Sequence, residues 1–411
     1  MSGIAVAVTG LGLVTPAGIG VAENWVAVCA GTPTAATDPE LHGLPVDFSC
    51  RVPDGTGLVP RRQLWNTDRH TRFALAAAHQ AVDNAGLDPA GWDGARVAVV
   101  MGSAAGGVGT LEAQHRRLID GGPGAVSPLL LPMFLPNMAA GRISIECRAT
   151  GPSLHTATAC ASGATAIGTA LGLLRSGACD LALAGGTDAM VTPLCAAAFA
   201  RMGALSTRRN DPAGASRPFD AGRDGFVLGE GAGVLVLETL PHARARGADI
   251  LALLTGYGAS ADAHHLTAPD PDGRALARAL TDAVTESGAR PAEVDHVNAH
   301  GTSTPQGDAR EARTLLRVLG GRPAVTSTKG VTGHTMGAAG AIEAAYTVLA
   351  LAHGLVPPTA NLGAPDPGLS ADGRALDLVR GTARPADLRL ALSVSSGFGG
   401  QNAVLAFRRA P

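Results

Sequence analysis

Nothing in this chain limits its possible folds more than the run Thr156-Ala157-Thr158-Ala159-Cys160-Ala161-Ser162-Gly163-Ala164, which continues in small residues to Leu171. Ala, Gly and Ser let neighbouring backbones approach closely, so the segment predicts a buried helix entered from an apolar strand. That places Cys160 near the first turn of the helix, where free backbone N–H groups and the positive dipole end favour a thiolate. A solitary cysteine is more often a packing residue, because free Cys is among the most buried residue types. The rest of the chain decides between the two readings.

The second constraint is a count. Basic residues are almost all arginine, and Lys329 is the only lysine in 411 residues. It stands five residues before His334, in Thr326-Ser327-Thr328-Lys329-Gly330 leading to Gly333-His334-Thr335-Met336-Gly337-Ala338-Ala339-Gly340. A codon bias toward Arg would leave a stray lysine anywhere. Beside a histidine turn, a compact ammonium supplies a point charge that a planar guanidinium cannot. Upstream, Val297-Asn298-Ala299-His300-Gly301-Thr302-Ser303-Thr304-Pro305 reads as a strand delivering His300 into a Gly/Ser/Thr loop. Near the C-terminal end, Gly397-Phe398-Gly399-Gly400 carries one bulky residue on flexible neighbours that let it swing. A histidine at a strand end is usually structural; two such loops paired with a candidate nucleophile point to covalent catalysis.

Along the chain, apolar strands alternate with helical patterns. Examples are a strand from Ile4, a helix over 69–85, a strand over 96–101 and a loop over Gly102–Gly107. A second series starts at Leu251, with a helix over 273–287, short strands at 294–298 and 324–327, and a helix over 338–353. The last strand is read as Leu390–Val394. The stretch Ser127–Pro136 is apolar, but its three prolines argue against a regular helix and favour an oligomer contact. The fold class is α/β, with an apparent duplication: one half over 1–250 carrying Cys160, another over 251–411 carrying His300, Lys329 and His334. A formal net charge of −2 gives no reason to expect nucleic acid as a partner. The remaining cysteines (Cys29, Cys50, Cys147, Cys179, Cys195) form no CxxC pair, which fits reduced thiols in the cytoplasm. Neither a secretory leader nor a membrane-spanning run is expected.

Taken in order, Thr-Ala-Cys-Ala-Ser-Gly, His-Gly-Thr-Ser-Thr-Pro, Lys-x4-Gly-His-x2-Gly-Ala-Ala-Gly and Gly-Phe-Gly-Gly resemble a β-ketoacyl-acyl-carrier-protein synthase. The likeness covers essentially the whole chain. It is to the synthase II type of dissociated fatty acid synthesis and to the ketosynthase subunits of type II polyketide pathways. The resemblance implies a thiolase-like, five-layered αβαβα fold with two similar halves, and a homodimer or a heterodimer with a chain-length-factor-like subunit. Cys160 would take an acyl chain from the phosphopantetheine arm of an acyl carrier protein, the backbone amides of Cys160 and Phe398 forming the oxyanion hole. His300 and His334 would stabilise the enolate of a decarboxylating malonyl unit. Lys329 would support the site, through a histidine and Glu311. Thr302 and Thr304 match pantetheine-binding positions, Phe398, Ala105 and Phe199 the gate and acyl pocket, and Arg61 and Arg62 the carrier-docking surface. No cofactor and no metal are expected.

The sequence departs from the fatty acid pattern in three places. Ser396 stands where those enzymes usually carry a phenylalanine, and Ala105 where synthase II relatives often carry isoleucine, leaving more room for a bulkier chain. Trp65 and Asn66 replace charges expected after Arg61 and Arg62. These changes favour a specialised polyketide or polyene-type pathway over housekeeping fatty acid elongation. A non-elongating chain-length subunit would have a broken Cys-His-His set, and a thiolase would carry a second catalytic cysteine near its C-terminus. This chain keeps all three residues and lacks that cysteine.

Overall fold

The computed structural model describes residues 5–53, 57–370 and 373–410. Its main sheet comprises β1 (Val6–Thr15), β2 (Val97–Gly102), β3 (Ser153–Thr156), β4 (Leu181–Asp188), β5 (Gly231–Thr239), β6 (Ala252–Ala261), β7 (His296–Asn298), β8 (Ala324–Thr326), β9 (Asp377–Leu378), β10 (Leu390–Gly397) and β11 (Gln401–Arg409). Their order is β9-β8-β7-β10-β11-β6-β1-β5-β4-β2-β3, with the short strand Gly18–Ile19 beside β1. One pairing scheme occurs twice. In the first half, β3, β2 and β4 run parallel, and β4, β5 and β1 follow antiparallel. In the second half, β8, β7 and β10 run parallel, and β10, β11 and β6 follow antiparallel. The two meet where Val6–Val8 of β1 pairs with Ala252–Leu254 of β6.

Glycines explain how each half packs its outer helix. A Cβ at Gly12 of β1 would stand 1.8 Å from the Ala77 carbonyl oxygen, and one at Gly10 would stand 2.2 Å from that of Ala81. Both alanines lie on α1 (Arg69–Asn84), whose alanine-rich face therefore rests directly on the strand. The second half repeats the device. A Cβ at Gly258 of β6 would stand 2.0 Å from the Ala279 carbonyl oxygen, on α3 (Arg274–Glu286).

Between the halves lie α2 (Ser162–Arg175) and α5 (Ala339–His353). Their shared core joins Ala164, Ile167 and Leu171 to Ala341, Ala345 and Val348. A second core sits under α1 and the helix Met138–Glu146, and a third under α3 and α4 (Pro305–Leu319). Helix, sheet, helix, sheet, helix gives five layers, the thiolase-like arrangement that the sequence resemblance implied.

Two local expectations are corrected. The chain does not end its strands at Val394. β10 runs to Gly397 and β11 follows at once, so the Phe398 segment is the tip of a hairpin. Residues Leu130–Phe134 form a single α-helical turn despite Pro132, which sits among the first residues, whose N–H groups need no helical partner. No helix among the described residues is long and apolar enough to cross a membrane.

The close strand–helix contact predicts that Gly258→Ala, which forces a Cβ into the Ala279 carbonyl, costs about 3 kcal/mol. Gly172→Ala, on the exposed side of α2 with nothing near its Cβ position, should instead stabilise the fold by up to about 1 kcal/mol. Thermal midpoints of the two variants check this, and equal midpoints would contradict it.

Candidate active site

Cys160 follows β3 through a tight turn. Ala159 takes a left-handed conformation (φ 49°), which costs a non-glycine residue on the order of 1 kcal/mol. Ser162 holds that turn: its hydroxyl donates to the Ala159 carbonyl (2.6 Å) and accepts from the Thr158 amide (2.9 Å). The cysteine is thereby set just ahead of α2. Against this turn lies the end of β10, where a Cβ at Gly397 would stand 3.0 Å from the Cys160 amide nitrogen. Glycine at 397 thus lets the Phe398 turn come up to the Cys160 backbone.

The second half delivers the imidazoles. His300 leaves the end of β7, and the Glu311 carboxylate fixes its loop by accepting from the amides of His300 and Gly301, both at 2.7 Å. His334 follows a turn at Gly333 (φ 63°) and is clamped by the first half. Its amide donates to the Val227 carbonyl (2.8 Å), and its carbonyl accepts from the Gly229 amide (2.9 Å). The two rings stand 5.4 Å apart, nearly perpendicular. Phe226 meets His334 edge-on at 5.4 Å, Phe199 meets Phe226 at 5.4 Å, and Phe398 lies 6.4 Å from Phe199. Cys160 packs with Phe199 and Phe226 in the same apolar cluster.

Lys329 ties the set together electrostatically. Its ammonium is buried and paired with the Glu343 carboxylate on α5, and its charge bears on Cys160, His300 and His334 alike. Burial, then Lys329, and for His300 also His334 and Arg310, hold both imidazoles well below their ordinary value. Both are therefore neutral near pH 7. Their Nδ1 atoms are buried with no hydrogen-bond partner among the described residues. Burial pushes the Cys160 thiol up to about 12; Lys329 opposes this, while Asp188 and Glu343 add to it. The sequence reading expected a thiolate at the helix start. The cysteine is placed there, but desolvation outweighs that help and the resting group is a thiol.

A second correction concerns the lysine. Its partner is Glu343, not Glu311, which caps the His300 loop instead. Glu343 was legible in principle as the one carboxylate in the otherwise apolar helix α5. Burial raises it to about 7, with Lys329 pulling it back down. Asp188 was also missed. It is fully buried at the end of β4 and accepts from the Ser103 hydroxyl (2.6 Å) and from the amides of Ala104 (2.9 Å) and Gly337 (2.6 Å). One carboxylate thus joins the loop bearing Ala105 to the turn after His334.

The remaining residues fall in two places. Ala105 and Phe199 are half-buried, Phe199 in the cluster that packs Cys160 and Ala105 with its amide 3.4 Å from the Asp188 carboxylate, and Phe398 is 37% exposed at the hairpin tip. Thr302 and Thr304 bring their hydroxyls within 2.9 Å of each other at the start of α4. Arg61 and Arg62 stand apart, exposed on the turn Arg61–Asn66 beside Trp65.

A duplicated frame that sets a thiol just ahead of one central helix and a neutral imidazole just ahead of the other, with one buried ammonium acting on the thiol and both imidazoles, fits an acyltransferase of the thiolase-like class. Comparison narrows this. Residues 4–243 match the β-ketoacyl synthase N-terminal domain and residues 251–363 its C-terminal domain. The chain is 43% identical to 3-oxoacyl-[acyl-carrier-protein] synthase 2 of Synechocystis sp., over 98% of both chains. The solved ishigamide ketosynthase/chain length factor superposes at a TM-score of 0.91 with 35% identity over 100% of both chains. A type II PKS acyl-carrier protein in complex with its ketosynthase bound to the hexaketide gives 0.92 and 33% identity, again over 100% of both chains. The chain belongs to the β-ketoacyl synthase family.

Because the thiol is raised, the thiolate fraction grows tenfold per pH unit up to about pH 11. The rate of Cys160 alkylation by iodoacetamide should therefore climb from pH 6 to pH 9 without levelling. A plateau with a midpoint below 8 would contradict the account.

Proposed function

We propose that this chain catalyses the decarboxylative Claisen condensation of a Cys160-bound acyl chain with a malonyl unit on an acyl carrier protein. The observation that carries the reading is the single buried ammonium of Lys329, within electrostatic reach of one thiol and two neutral imidazoles. In the first half-reaction the Cys160 sulfur attacks the carbonyl of an acyl-pantetheine thioester. The C–S bond to pantetheine breaks, and the departing thiolate takes up the proton that Cys160 gives off. In the second, the malonyl C–C bond breaks and carbon dioxide leaves. The electron pair becomes an enolate whose oxygen accepts from Nε2–H of His300 and His334. Its carbon attacks the acyl-Cys160 carbonyl, and the oxyanion that forms accepts from the amides of Cys160 and Phe398, donors worth roughly 3–4 kcal/mol each. Collapse expels the cysteine as a thiolate, which takes a proton from water and returns to the thiol, leaving the β-ketoacyl chain on the carrier. Neutral imidazoles suit this role, because each can offer a hydrogen bond without drawing the enolate's proton chemistry off course.

The pantetheine arm would run past Thr302 and Thr304, its carrier resting on the surface that exposes Arg61, Arg62 and Trp65. A second ketosynthase-like chain, a copy or a chain-length-factor-like partner, would pair with the edge strand β3. That strand ends the sheet and leaves Leu154 40% exposed, near the exposed Ile145 on the helix packed beside it. The relatives include both a synthase 2 and ketosynthases solved with a chain length factor. Ala105 and Ser396 favour a specialised pathway handling a bulkier or functionalised chain. The identity to synthase 2 supports the second reading, elongation of saturated fatty acyl chains.

Cys160→Ala should lower condensation about a thousandfold or more while leaving malonyl decarboxylation measurable, since the histidines remain. Full condensation by this variant would refute the mechanism. Mass spectrometry of acyl-Cys160, after exposure to saturated and to polyunsaturated or poly-keto acyl carriers, separates the pathways. Acylation by saturated chains alone would favour fatty acid elongation.

Ala105→Phe should shorten the longest chain accepted on Cys160; an unchanged chain-length profile would remove Ala105 from the acyl pocket.

A further inference from the structure

Arg310 carries a cost that the mechanism does not explain. It lies on α4 with 5% of its surface exposed, and its Nε has no hydrogen-bond partner among the described residues. No ion pair to it is found among the described residues. Burying a guanidinium this way is expensive.

Its remaining donors go to the base of the hairpin that carries Phe398. Nη2 donates to the Ser396 hydroxyl (3.2 Å), and Nη1 stands at the limit of hydrogen-bond range (3.5 Å) from the Asn402 amide oxygen. Ser396 and Asn402 face each other across β10 and β11, and the serine hydroxyl donates to the same amide oxygen at 2.9 Å. The Asn402 side-chain nitrogen in turn donates to the Gly400 carbonyl (3.2 Å) and to Asp262 (2.7 Å), whose own amide donates to Gly400 (2.8 Å). Both legs of the hairpin are thus held in one polar bracket, while the tip has glycines at 397, 399 and 400. The same hairpin end places Gly397 against the Cys160 amide.

We propose that Arg310 is a positioning residue for the Phe398 turn, bracing the hairpin base through Ser396 and Asn402 so that the tip returns to one place over Cys160. An aromatic ring at position 396 would compete with the guanidinium for space. The inference rests on the condensation reading for its catalytic consequence, but the position of the turn can be read without it.

Two measurements test it on the full-length protein: the iodoacetamide alkylation rate of Cys160, which needs no condensation, and condensation kinetics. Arg310→Met should raise the alkylation rate about fivefold, as the tip loosens. It should lower condensation kcat about tenfold with little change in KM for the malonyl carrier. Ser396→Ala, which preserves packing, should shift both in the same directions by smaller factors and decides the matter if Arg310→Met fails to fold. Ser396→Phe should also lower condensation, and Arg310→Ala/Ser396→Phe should recover to within about threefold of wild type. Unchanged alkylation in folded Arg310→Met and Ser396→Ala, or a double variant no better than Ser396→Phe, overturns the proposal. Absent condensation in the wild-type protein, with the alkylation shifts intact, would fail the condensation reading and not the bracket.

Discussion

The structure depends on the crossing of two central helices at residues too small to keep their backbones apart. A Cβ at Gly163 of α2 would stand 2.8 Å from the Ala341 amide nitrogen, and one at Gly340 of α5 would stand 2.8 Å from the Ala164 amide nitrogen. No larger side chain fits at either position without moving a helix. Cys160 lies just before the first of these helices and His334 just before the second. Once the helices touch near their starts, the thiol and the imidazole turn are neighbours. The approach of these two turns is therefore a consequence of helix packing between two halves that share one pairing scheme.

Close packing then creates an electrostatic problem, since the site gathers Lys329, Glu311, Glu343 and Asp188 where water is scarce. Each carboxylate has a specific answer: Glu343 takes the ammonium, Glu311 two amides of the His300 loop, and Asp188 a hydroxyl and backbone amides from two loops. Among the described residues, one oxygen of Glu343 and the Nδ1 atoms of both histidines have no partner, so satisfaction is incomplete. Sites that do chemistry commonly retain such unpaired groups, because full satisfaction would consume the atoms needed for substrate.

Much of this was legible in the sequence for reasons that can be stated. Cys160, His300, Lys329 and His334 stood out because unusual residues sat at strand ends or beside glycine turns, and those are local signals. Glu343 and Asp188 escaped because their importance lies in what meets them from distant segments: Lys329 for the first, and the 103–105 loop and Gly337 for the second. β11 escaped because Gly397–Gly400 reads as a terminus, although Ala403–Phe407 is a buried apolar run. The thiolate expectation failed for a quantitative reason. A helix start offers a modest stabilisation, and the apolar packing around the half-buried cysteine costs more.

The central claim is that one chamber holds the sulfur from the first half and both imidazoles from the second. A crystal structure of the protein after reaction with an acyl epoxide tests it most directly. The account predicts a covalent bond to the Cys160 sulfur, with the oxygen released by ring opening about 3 Å from Nε2 of both His300 and His334. An adduct on any other cysteine, or an oxygen beyond reach of both imidazoles, would contradict it.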